Sequence, residues 1–260
     1  MYNDYHDRQV VLASNICSLL YDLVPSTYDE VAPKIEYWIE YVLNEQFTTT
    51  DDLAERISAV AWEDRGSHPD ISRFLKEFRD APHRSEQARS FIDGLCFYII
   101  RWFAIAAAED LCWTHWHKGL VSKSGGPGFI RAASFVGHLI ESGLLGREPV
   151  RRHIFKPLTN HYYNPGNLWK QSVRANAIYE LFTTAGHALL QGFLEPEEVQ
   201  DCFKTLEVRV TLGDMHVDGL DTLYPAGLNV RVILVSMLPL DLTCRLGTSR
   251  DPCCVPAAQS

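Results

Sequence analysis

Along the first two hundred or so positions the apolar residues recur at intervals of three and four, the spacing of one face of a helix. Val10, Ala13, Cys17, Leu20 and Val24 form the first such stripe, widened by Leu12, Ile16, Leu19 and Leu23, which predicts a helix buried against neighbours. Val31, Ile35, Trp38 and Val42 form the second, in "STYDEVAPKIEYWIEYVL". Thr27 and Glu30 have capping-box spacing ahead of it. A helix starting at Tyr28 would carry Pro33 in its interior, so the pattern predicts a regular start nearer Ala32, or a kink.

The same period continues. "DDLAERISAVAWEDRG" reads as a short helix ending near Gly66, "DISRFLKEFRD" as another, and "SEQARSFIDGLCFYIIRWFAIAAAEDL" as a long one, with Ala81-Pro82 dividing the last two. From Cys112 to Gly128 the periodicity lapses around "SKSGGPG", which predicts a loop. Ile130, Ala133, Val136 and Ile140 then line a helix that Gly143 or Gly146 can end in a left-handed conformation. Val150, Ile154 and Leu158 make the buried side of the next. After the loop "NHYYNPGNL", Ile178, Leu181, Ala185 and Ala188 mark another helix. Pro196 suits the first turn of the last clear one, Glu197 and Glu198 suit its positive end, and Val199, Phe203 and Leu206 point inward. No comparable strand pattern precedes residue 207.

These helices pair. Hairpins whose first helices start near residues 27, 70, 129 and 170 are mostly about forty residues apart, the period of HEAT and armadillo repeats. The expected fold is therefore all-α: a HEAT/armadillo-like α-solenoid of stacked antiparallel helix pairs over residues 1–210. A helical bundle without a true repeat is the alternative. Residues 211–260 lose the helical pattern, scatter Gly and Pro, and end in "CCVPAAQS"; they read as an irregular, truncated or altered tail.

Composition adjusts this picture little. With 46% hydrophobic and 22% charged residues in 260, the chain has the makings of a sizeable core. "MYNDYHDRQV" lacks the basic and apolar regions of a secretory signal, so the expected compartment is the cytoplasm or the nucleus. "LCFYIIRWFAIAAA" is shorter than a membrane span needs and carries Arg101, so it reads as a buried helix. Seven cysteines without paired CxxC motifs indicate reduced thiols, with Cys17, Cys96 and Cys202 in apolar stripes. The net charge of −9 is uneven: residues 1–128 carry −8, residues 129–210 carry +1 and the rest −2. An acidic first half repels nucleic acid at long range, so any RNA contact must be local.

Two stretches are more specific. "FIRAASFVGHLIESGLLGREPVRRHIFKPL" (129–158) and "IYELFTTAGHALL" (178–190) resemble the middle domain of the eukaryotic translation initiation factor 4G family. Phe135, Val136, Gly137 and Leu139 match its "F-[IV]-G-x-L" helix, Gly143, Leu144 and Leu145 its turn, and Leu181 through Leu190 its "L-L-T-T-I-G-K-D-L" run. "LVPSTYDEVAPKI" resembles the family's entry motif. The likeness covers roughly residues 20–208, and His187 and Ala188 stand where the family has Lys-Asp. It implies a non-enzymatic helical scaffold in translation or mRNA metabolism that docks a DEAD-box RNA helicase or another factor; some members of the family also contact RNA. It implies neither cofactor, membrane nor small-molecule substrate.

The candidate partner site is Arg147, Arg151, Arg152 and Lys156 on one predicted helix. Arg147 and Arg151 are four apart, as are Arg152 and Lys156, so each pair stacks along a face. Arginine can grip phosphate or carboxylate bidentately. The plainer reading is a solvated face paired with Glu148 and the acidic first half. A second candidate is an aromatic contact loop, Trp113, Trp116 and Lys118 in "CWTHWHKGL", where aromatics beside cations suit single-stranded RNA, though packing of the tryptophans is the commoner use. Tyr162 and Tyr163 raise the same two readings. Cys112, His115 and His117 lack zinc-site spacing and a fourth ligand, so no metal is expected. "GLVSKSGGPG" is not a phosphate loop, no GxSxG or HExxH occurs, and His138, His153 and His187 are isolated, so no enzyme is expected. An armadillo-type protein-interaction scaffold with no RNA role is the alternative function.

Overall fold

A computed structural model describes residues 14–45, 57–60, 65–108, 113–117, 120–124, 126–159 and 168–211. Those residues are mostly helical. The first element, α1, covers residues 14–21 and buries Ile16 and Leu20. The next, α2, runs Tyr28–Glu45 with Val31, Ala32, Ile35, Ile39 and Val42 buried.

The start of α2 departs from the sequence expectation. The helix begins at Tyr28 and takes Pro33 inside it. Pro33 gives up one backbone hydrogen bond, and the burial of Ala32 and Ile35 on either side outweighs that loss. Nor do Thr27 and Glu30 form a capping box. The Thr27 hydroxyl donates back to the carbonyl of Asp22, and Glu30 accepts from Lys34 Nζ at 2.7 Å.

After α3 (residues 57–60) and a 3-10 turn at Arg65–Ser67, α4 spans His68–Asp80 and α5 spans Glu86–Ala108. Ser85 caps α5, its Oγ accepting from the Ala88 N–H at 3.2 Å. At 23 residues α5 exceeds the expected apolar stretch, and by length and composition alone it could cross a membrane; half of its most apolar window is buried within the protein.

Residues 113–117 and 120–124 overturn the loop expectation. Strands β1 (Trp113–His117) and β2 (Leu120–Ser124) pair antiparallel, with Trp113 opposite Ser124 and Trp116 opposite Val121. Next, α6 (Gly126–Glu141) starts three residues earlier than the pattern suggested. It ends as expected at Gly143, whose φ is +75°. Gly143 N–H bonds the Ile140 carbonyl and Leu144 N–H bonds the Leu139 carbonyl, both at 3.0 Å, a Schellman closure with Leu139 and Leu144 buried. A Cβ at Gly143 would meet nothing within 4 Å. Gly143→Ala is therefore expected to cost only its left-handed strain, about 1 kcal/mol, and Gly143→Asn less, as denaturant titration would measure.

The arginine helix follows, in three continuous pieces: α7 (Arg147–Val150), a π-helical turn (Arg151–Phe155) and α8 (Lys156–Thr159). Val150, Ile154 and Leu158 are fully buried, as their spacing predicts. Then α9 (Leu168–Ala188) passes into a second π turn at Leu189–Phe193, and α10 spans Pro196–Thr211.

In space α4 packs on α6, and α6 packs on α9. On the other side α5 packs on the arginine helix, whose end meets α10. The core is continuous through these contacts. Phe103 stacks on Phe129 at 4.6 Å between α5 and α6, and Phe155 meets Phe182 at 6.1 Å between the arginine helix and α9. Cys96 and Cys202 are buried thiols, pushed well above the ordinary range by burial, and neither they nor the half-buried Cys17 form a disulfide among the described residues.

Candidate partner-binding groove

The arginine helix and α10 enclose a groove of about 630 Å³. One wall carries Arg151, Arg152, Phe155, Lys156 and Thr159 with Glu148 at its end; the other carries Glu198 and Asp201 of α10. Three basic and three acidic side chains thus line it.

Two local features build the basic wall. In the π turn the Lys156 N–H bonds the Arg151 carbonyl, five residues back. In an α-helix residues five apart diverge by about 140° around the axis; the wider π turn brings Arg151 and Lys156 towards one side, and both line the groove. Phe155, 2% exposed, forms the floor, and the Thr159 hydroxyl donates to the Phe155 carbonyl at 2.9 Å.

The acidic wall comes from the helix start that "EPEEV" predicts. The Glu198 carboxylate reaches back to the Glu195 N–H at 2.9 Å, the reciprocal half of a capping box. The same carboxylate faces Arg151, whose Nε lies 3.0 Å from Oε1 and 2.8 Å from Oε2. Arg151 also donates to Glu148 at 3.2 Å, and Arg147 pairs with Glu195. Asp201 accepts from Lys204 at 2.8 Å.

These pairs divide the four predicted site residues. The structure brings all four onto one continuous helix, but Arg147 and Arg151 are engaged across the groove mouth by Glu195 and Glu198. Arg152 and Lys156 are exposed and have neither a hydrogen-bond nor an ion-pair partner among the described residues. Glu148 pairs as the sequence suggests, whereas the other counter-charges come from the start of α10 and not from the acidic first half. Glu198 was legible only as a helix-end charge and Glu195 not at all, because their partners lie 47 and 48 residues away.

Burial pushes the Glu198 carboxyl upward, but the Arg151 hydrogen bond, the Glu195 N–H and the nearby arginine charges outweigh it and hold its pKa below the ordinary carboxylate value. A carboxyl depressed in the folded state stabilises the fold above its unfolded pKa, and that stability is lost as pH falls through the folded value. Thermal melts are thus expected to separate wild type from Glu198→Gln near neutral pH and to converge well below pH ~4.

The second candidate stands differently. Trp113 and Trp116 occur on a strand, not in a loop, and their side chains, with Lys118, lie outside the described residues, as do Cys112, Tyr162 and Tyr163. Among the described residues no group of three His, Cys, Asp or Glu is arranged to hold a metal ion. No protein-family profile matches the chain, and neither a curated protein nor a solved structure matches it.

Proposed function

We propose that the chain is a non-enzymatic helical scaffold: an α-solenoid of stacked helix pairs that recruits a protein partner in translation or mRNA metabolism, foremost a DEAD-box RNA helicase. The observation that carries the scaffold reading is the two-track packing. First helices stack on first helices, α4 on α6 on α9, while second helices stack on second helices, α5 on the arginine helix on α10. Stacking of this kind leaves one ridge of each pair and its loops to partners. The choice of helicase rests on the residue likeness of the 129–158 and 178–190 stretches.

A protein-only scaffold is the second reading. Its support is the neutralisation of Arg147 and Arg151 within the chain, which halves the basic cluster open to phosphate. Calorimetric titration of the full chain with an initiation-type helicase, with and without RNA, tests both. Saturable binding with altered RNA-dependent ATPase activity is expected. Absence of helicase binding would overturn the helicase assignment. Capture of a protein complex that survives nuclease would favour the second reading.

A further inference from the structure

We propose that the groove between the arginine helix and α10 docks an acidic segment of a protein partner, gripped by Arg152 and Lys156. The inference deepens the scaffold reading and rests on it.

The charge balance points to the occupant. Every carboxylate lining the groove already meets a cation: Glu148 and Glu198 meet Arg151, and Asp201 meets Lys204. The lining charges left without an ion partner among the described residues are Arg152 and Lys156, one turn apart on the same wall. The groove therefore presents two unpaired positive charges beside Arg151, Lys204, Glu148, Glu198 and Asp201, which together sum to −1, so its net charge is +1. A pair of carboxylates on a partner can satisfy both, one through the forked guanidinium and one through the ammonium.

RNA suits this lining poorly. Its backbone carries a charge at every nucleotide, so a strand lying in the groove would pass Glu148, Glu198 and Asp201 as well as the two cations. Two phosphate contacts also release few counterions and yield little affinity. A polypeptide can place acids opposite Arg152 and Lys156 and neutral or basic residues opposite α10. The volume of about 630 Å³ admits side chains from one short segment, and the floor at Phe155 gives them an apolar base.

The test uses the full chain and three labelled probes: a short alanine-rich peptide with two glutamates one helical turn apart, the same peptide with glutamines, and a single-stranded RNA. The glutamate peptide is expected to bind saturably and the glutamine peptide not. Arg152→Glu with Lys156→Glu should weaken the glutamate peptide by at least about tenfold, whereas Arg101→Glu on the exposed side of α5 should leave it unchanged. If the double reversal disturbs the circular dichroism spectrum, Arg152→Gln with Lys156→Gln replaces it, with the same loss expected.

Equal behaviour of the two peptides, including binding by neither, overturns the proposal. So does RNA binding that the double variant abolishes. Tighter peptide binding after Asp214→Asn, Asp218→Asn and Asp221→Asn together would make the chain's own tail the occupant, and would also overturn it. The scaffold reading fails separately. A helicase that binds the double variant as well as wild type sinks the groove assignment alone. A glutamate peptide that binds as expected beside a helicase that does not sinks the helicase alone.

Discussion

Arg84→Ala is expected to lower the stability of the protein by about 3 kcal/mol, measured by urea titration. Arg84 precedes the cap of α5, and its side chain is 6% exposed. Its two terminal nitrogens donate to Glu40 and Glu36 on α2, and its guanidinium lies 4.6 Å over the Phe78 ring of α4. One side chain thus joins three helices. Its removal leaves two carboxylates one turn apart on α2 facing each other without a counter-ion, an arrangement that is itself unfavourable. Those carboxylates are 31% and 43% exposed and keep part of their hydration, so the expected loss sits at the low end of the range for a broken buried pair. Lysine offers its donors from a single nitrogen and lacks the planar fork that meets Glu36 and Glu40 through separate nitrogens, so Arg84→Lys should recover only part of the loss. Adding Glu36→Gln and Glu40→Gln to Arg84→Ala should recover part of it as well, by removing the repulsion. A loss in Arg84→Ala below about 1 kcal/mol would mean that the cluster behaves as an ordinary surface pair.

Arg84 also marks where the sequence stops being legible. Signals confined to one or two turns read correctly: Val150, Ile154 and Leu158 face inward, Gly143 closes α6, and Pro196 opens α10. Each depends on chain geometry close by. The links of Arg84 to Glu36 and Glu40, and of Arg151 to Glu198, span 44 to 48 residues and exist only once the helices have packed. No local pattern announces them. The same holds for the π turn at Arg151–Phe155, which changes what the basic residues face without altering the apolar spacing. Pro33 misled for the opposite reason, because a local penalty was outweighed by burial on both sides of it. The paired strands at 113–117 and 120–124 were not legible: the tryptophans of "WTHW" stand three apart and "LVS" runs apolar, apolar, polar, so neither stretch shows the period-two alternation that marks a strand. Of the candidate groove, the sequence offered the basic wall. The acidic wall, and with it the fact that half the basic charge is already spent, needed the fold.

Gly137→Ala is expected to destabilise by about 2 kcal/mol, although alanine in an ordinary helix interior would gain about 1 kcal/mol over glycine. The reversal comes from the contact between α6 and α9. A methyl carbon at Gly137 would lie 2.7 Å from Thr184 Cβ, 3.1 Å from its Cγ2 and 3.3 Å from its Oγ1. The nearest atom is a Cβ, fixed to the backbone, so a change of rotamer at Thr184 cannot relieve it and the two helices must separate. The neighbouring turn of α9 is already bent: Ala185 has non-helical dihedrals (φ −121°, ψ 18°), and the Thr183 hydroxyl donates to the Tyr179 carbonyl at 2.8 Å, a bond that favours bending. This gives the glycine of the Phe-Val-Gly-x-Leu stretch a physical reason, since two helices approach there with no room for a side chain. It also fixes the rescue. Thr184→Ala keeps the offending carbon and should not restore stability to Gly137→Ala, whereas Thr184→Gly removes it. In the Thr184→Gly background the alanine should show its ordinary helix-forming gain, so a double-mutant cycle should give a coupling of about 3 kcal/mol. Additive effects in that cycle, or a Gly137→Ala protein as stable as wild type, would mean that α6 and α9 have slack at this point and that the glycine is there for another reason.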